Sequence, residues 1–104
     1  MSQDNNLFLN SFLEYLRFEK RYSPHTIRSY QDDLVFFFDY LLTDFGEIKL
    51  QEIKPTFIRS WLAQQKENNA SSRTINRRIS TLKSFFKFQL KQEAIEASPM
   101  ATIV

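Results

Sequence analysis

The chain has 104 residues, 42% of them hydrophobic and 15% aromatic, enough for one modest core and too apolar for a disordered tail. It contains no cysteine, which excludes disulfides and thiolate chemistry. The net charge is only +2, yet six of the fourteen basic residues fall between Asn68 and Gln92, where no acidic residue occurs; such a segment suits an anionic partner.

The longest apolar run, Leu34 to Phe38, is far short of the roughly 20 residues that span a bilayer. No basic-then-apolar signal opens the chain, and the expectation is a cytosolic protein. One glycine and three prolines, with many Leu, Phe, Lys, Gln and Glu, argue for helices over strands. Four helical patterns follow in chain order.

The first runs from about Asn6 to Lys20, with Phe8, Phe12 and Leu16, and Leu9 and Leu13 alongside them, on one face. The second starts at Ser23-Pro24: the serine is a good N-cap and the proline fits the first helical position. Tyr22 and Ile27 stand at the two positions of a hydrophobic staple. Its stripe of Ile27, Tyr30, Leu34, Phe37, Phe38 and Leu41 should stop before Gly46. Glu47 to Lys54 reads as a connector. The third helix opens at Pro55, turns Phe57, Ile58, Trp61 and Leu62 inward, and ends at Asn68-Asn69, because Asn tolerates the left-handed conformation. The fourth begins at Ser71 or Ser72. Ile75, Ile79, Leu82 and Phe86 form a narrow stripe; Arg73, Arg77, Ser84 and Lys91 fall opposite, with Thr74, Arg78 and Thr81 along one flank. In Phe36-Phe37-Phe38 and in Phe85-Phe86-Phe88 at least one ring should lie near the surface.

Catalytic chemistry is not visible. His25 is the single histidine, so no His/Cys metal set can form, and no metal or cofactor is expected. There is no phosphate-binding glycine loop and no Ser–His–Asp arrangement. Asp32 and Asp33 point about 100° apart on a helix and read as solvated. The fourth helix, by contrast, places Arg for phosphates and guanine beside Thr and Ser for base edges. The second opens with His25, Thr26, Arg28 and Ser29, another short run of polar and basic side chains.

These pieces together resemble the N-terminal core-binding (SAM-like) domain of tyrosine recombinases, the Xer-type recombinases and the phage or transposon integrases. The resemblance rests on Phe12-Leu13-Glu14-Tyr15-Leu16, on Ser23-Pro24-His25-Thr26-Ile27-Arg28-Ser29-Tyr30 with Asp33-Leu34, and on Ile58 and Leu62. It continues through Ser72-Arg73-Thr74-Ile75-Asn76-Arg77-Arg78-Ile79-Ser80, Leu82-Lys83-Ser84-Phe85-Phe86 and Ile95-Glu96-Ala97-Ser98-Pro99.

The resemblance implies an all-α fold, a compact orthogonal bundle of four helices, over residues 1–97, with 98–104 starting a linker to an absent C-terminal catalytic domain. It implies half of a C-shaped clamp on double-stranded DNA, with contacts from His25, Thr26, Arg28 and Ser29 and from Arg73, Thr74, Arg77, Arg78 and Thr81. It further implies protomer contacts through the first helix, in a synaptic tetramer, and a nucleoid-associated location without membrane. The fragment is expected not to be an enzyme: the nucleophilic tyrosine that forms a phosphotyrosine link would belong to the catalytic domain. Two alternatives stay open, a helical protein–protein module of the same fold and a helix-turn-helix regulator. Two positions depart from the family. Glu93 stands where many relatives place Gly, so the fourth helix is expected to run on or bend, and Asn68-Asn69 stands where Gly is frequent.

Overall fold

A computed structural model of the chain describes residues 3–103. Among them are four α-helices and no strand: α1 (Gln3–Phe18), α2 (Pro24–Phe45), α3 (Pro55–Glu67) and α4 (Ser72–Lys91). The all-α, four-helix expectation therefore holds. A one-turn 3-10 helix, Leu50–Glu52, interrupts the expected connector and buries Leu50. The chain divides after Lys49 into two units. The first holds α1 and α2; the second holds the 3-10 turn, α3, α4 and the tail.

In the first unit α1 packs on α2. It starts and ends a little earlier than its apolar spacing predicts, and buries Leu9, Phe12 and Leu16. The Phe12 ring meets the Tyr30 ring edge-on at 5.9 Å, a favoured geometry for two aromatic quadrupoles. Asn5 donates from Nδ2 to the Ile48 carbonyl at 3.1 Å, tying the opening of α1 to the segment after α2. Helix α2 starts and stops where the sequence places it. Ser23 Oγ accepts from the Thr26 N–H at 3.3 Å, Pro24 takes the first turn, and Gly46 at φ 82 donates its N–H to the Leu42 carbonyl. Tyr22 stacks on Tyr30, with ring centroids 6.0 Å apart. Phe36 is the half-exposed member of its triplet, while Phe37 and Phe38 are buried. Asp33 departs from expectation. It is 3% exposed, because it falls on the same side of α2 as Leu34 and Phe37, and only Asp32 is solvated.

In the second unit α3 buries Ile58 and Trp61 completely. It ends with Asn69 at φ 63; the Asn69 and Ala70 N–H groups close back on the Lys66 and Gln65 carbonyls. These two bonds form a Schellman cap, which satisfies carbonyls the helix leaves open. Ser71 then caps α4, its Oγ accepting from the Thr74 N–H at 3.1 Å.

The end of α4 corrects a second expectation. The helix does not run on: Glu93 adopts φ 60, and the Glu93 and Ala94 N–H groups bond to the Leu90 and Gln89 carbonyls. The same cap forms without glycine. The residues that follow Ser98 also make contacts. Met100 and Ile103 are buried, Ser98 Oγ accepts from the Met100 N–H at 3.1 Å, and Arg59 Nη2 donates to Thr102 Oγ1 at 2.9 Å. The apolar side chains of the tail have a surface to cover, and Pro99 serves a turn.

A left-handed conformation costs an L-residue about 1–2 kcal/mol that glycine avoids, partly offset by the greater unfolded-state freedom of glycine. Glu93→Gly should therefore stabilise the chain by about 0.5–1 kcal/mol, a rise in Tm of several degrees that circular dichroism would measure. A lower Tm would show that the Glu93 side chain itself contributes.

Candidate nucleic-acid interface

Helix α4 buries Ile75, Thr81, Leu82, Phe85, Phe86, Phe88 and Gln89. This face is wider than the four-residue stripe, and all three rings of Phe85-Phe86-Phe88 lie within it. Arg73, Asn76, Arg77, Ser80, Lys83, Lys87 and Lys91 are exposed. At about 100° per residue these seven fall within an arc of about 120°. Most of the exposed surface of the helix is thus one cationic strip interleaved with one amide and one hydroxyl, with Ser72 and Leu90 exposed at its edge. The acid-free stretch between Glu67 and Glu93 keeps carboxylates off this helix.

The strip is not the one drawn from the narrow stripe alone. Thr81 is only 4% exposed. Arg78 is half-buried, and its Nη1 donates to Gln65 Oε1 at 2.8 Å. Both lie on the flank where Phe85 and Phe88 turn inward, so the flank faces the interior. The reason is periodicity: four apolar residues mark the middle of the buried face but not its width. Asn76, Ser80 and Lys87 are not among the contacts expected from the sequence, and Lys83 ranks below those contacts because it lies nearer the other edge of the stripe. Their exposure follows once Phe85 and Phe88 are counted as core, because the polar arc then shifts toward them.

The first unit carries its own set at the opening of α2. His25, Thr26 and Arg28 are exposed and Ser29 is half-buried. Arg28 Nε contacts Asp32 Oδ1 at 3.1 Å, with both side chains well exposed. An i,i+4 pair of this kind is worth only about 0.3–0.5 kcal/mol, so a phosphate could displace the carboxylate at little cost.

The two helices open with the same device. Ser23 and Thr26, and again Ser71 and Thr74, bring their hydroxyl oxygens to 3.0 Å in addition to the backbone cap. Ser71 donates to Thr74, which leaves the threonine its own proton to offer an acceptor. Neither first turn contains an acidic residue, so the positive end of each helix dipole is uncompensated.

Among the described residues no group of three or more His, Cys, Asp or Glu could hold a metal ion, and no helix is long and apolar enough to cross a membrane. Residues 9–93 match the family model described as the phage integrase, N-terminal SAM-like domain. The chain belongs to this family. It is 38% identical over 97 residues to the tyrosine recombinase XerC of Anoxybacillus flavithermus, covering 92% of this chain and 32% of that protein. It is 37% identical over 98 residues to the tyrosine recombinase XerD of Rickettsia bellii, and 35% identical over 100 residues to XerC of Bacillus subtilis; each alignment covers 92% of this chain and 31% of the relative. The chain therefore spans about a third of the length of the curated relatives it matches. No solved structure matches it.

Gln65 serves the turn and the helix after it: its backbone carbonyl accepts from the Ala70 N–H in the α3 cap, and its side chain accepts from Arg78 of α4. Its Nε2 is buried and without a partner among the described residues. Gln65→Met removes the acceptor of a charged donor, worth about 1.5–3 kcal/mol, and also the unsatisfied amide nitrogen, which returns part of that loss. The expected net destabilisation is about 1 kcal/mol, read from the midpoint of urea unfolding. Gln65→Glu, which keeps the acceptor, should lose less.

Proposed function

We propose that the chain binds duplex DNA as the N-terminal clamp domain of a site-specific tyrosine recombinase. The observation that carries this reading is the exposed strip of α4. Five cations there, Arg73, Arg77, Lys83, Lys87 and Lys91, are spread along five turns with Asn76 and Ser80 among them. Phosphates need the cations, and base edges need the uncharged donors and acceptors. His25, Thr26, Arg28 and Ser29 supply a second set at the start of α2. In this reading Arg73, Thr74 and Arg77 are the main α4 contacts. Arg78 reaches DNA with whatever its bond to Gln65 leaves over, and Thr81 contributes only if its buried hydroxyl is uncovered.

Cleavage and rejoining belong, on the same reading, to a separate C-terminal domain joined beyond Ile103, and the tyrosines of this chain take no part. Tyr22 and Tyr30 are stacked on each other and Tyr40 is buried, which suits packing rather than attack on a phosphodiester. The protein would work where the chromosome is, in the cytoplasm. A contact with a second protomer has its own support on α1: Leu7 and Phe18 are 62% and 68% exposed and lie about 20° apart around the helix. They stand about three turns apart with Ser11 and Glu14 between them, and a protomer contact on this face would bury the two ends of that line.

Electrophoretic mobility shift with random duplex should show weak binding that falls steeply with salt. Arg73→Ala/Arg77→Ala should weaken it and reduce the slope of log K against log salt by about one unit per lost phosphate contact. A double variant that bound as well as the parent at low salt would refute the assignment. Sedimentation of the parent and of Phe18→Ser checks the α1 contact: self-association should fall in the variant.

A further inference from the structure

The strip on α4 holds one uncharged carboxamide that its fold does not account for. Asn76 is the fifth residue of a 20-residue helix, past the first turn, where Asn would serve as a cap. Inside a helix Asn is among the poorer formers, because its side chain competes for backbone hydrogen bonds. Asn76 makes no such bond: it is exposed, and its carboxamide has no partner among the described residues. It carries no charge to offer a phosphate. Its neighbours one turn away on the same strip are Arg73 and Ser80, and Arg77 adjoins it.

We propose that Asn76 is a specificity-determining residue that reads an adenine in the major groove. This rests on the DNA-binding reading of α4. A carboxamide presents a donor and an acceptor side by side, which match adenine N7 and N6, and no other base pairs with it bidentately in that groove. The flanking arginines hold the helix to the backbone and Asn76 supplies the sequence information. An uncommitted amide also avoids breaking an internal bond before it reads a base.

The test is selection of bound duplexes from a random pool by the chain itself, with sequencing of the bound fraction, for the parent, Asn76→Ala, Asn76→Gln and Arg73→Ala/Arg77→Ala. The parent should enrich adenine at one position. Asn76→Ala should lose about ten-fold of that preference, keep the salt slope of the parent, and melt at or above the parent temperature, since alanine is the better helix former. Asn76→Gln, which keeps the carboxamide on a longer arm, should retain part of the preference. An unchanged adenine preference in Asn76→Ala, or a parent that prefers no base anywhere, would overturn the role of Asn76 while leaving DNA binding intact. Undiminished binding by the double arginine variant would instead remove the DNA reading on which it stands.

Discussion

Helix α4 is anchored by the complete burial of Leu82, Phe85 and Phe86, with Ile75 and Phe88 nearly as deep. Full burial of such a side chain is worth about 1.5–3 kcal/mol, so the helix cannot roll about its axis without exposing several at once. That constraint decides which way every other α4 side chain points. The exposed cations occupy the arc that the aromatic residues leave. The rotation of the helix that presents them is thus set before any ligand arrives, and such preorganisation lowers the entropic cost of binding.

The helix ends show a second constraint. Three residues other than glycine, Arg21, Asn69 and Glu93, take left-handed backbone conformations. At Asn69 and Glu93 paired N–H groups recover helix-end carbonyls, and the hydrogen bonds offset the steric cost of the conformation. The chain thus turns sharply between α3 and α4 and again after α4 with a single glycine in its whole length. The short turn sets where α4 begins, and Ser71 fixes its first residues through Thr74. Gln65 adds a side-chain tie across the same turn. The start of the cationic strip is therefore held from both the backbone and the side chains.

Two kinds of polar residue are thereby separated. Arg78 and Gln65 are committed to each other, and Asp33 is buried in α2. Arg73 and Asn76 stand in solvent. Charge and residue type do not distinguish these groups, since Arg78 is as basic as Arg77 and directly follows it. Their position relative to the aromatic face does. Membership of the integrase SAM-like family places the helices in order but not the individual side chains.

The sequence by itself determined the helical class, the starts of α2, α3 and α4 and the stop at Gly46. These follow from local chemistry: serine oxygen on an orphan amide, proline in a first turn, and the turn preferences of Gly and Asn. It also determined that the cations would gather on one helix, because charge order is a property of the chain. Only the tertiary structure decided how wide the buried face of α4 is, and hence that Thr81 goes in while Asn76, Ser80 and Lys87 stay out. It alone buried Met100 and Ile103 of the tail, and allowed Glu93 to close a helix where glycine is expected. Each of these depends on contacts between residues far apart in the chain, and the free energy of such contacts outweighs the local preference that would have predicted otherwise.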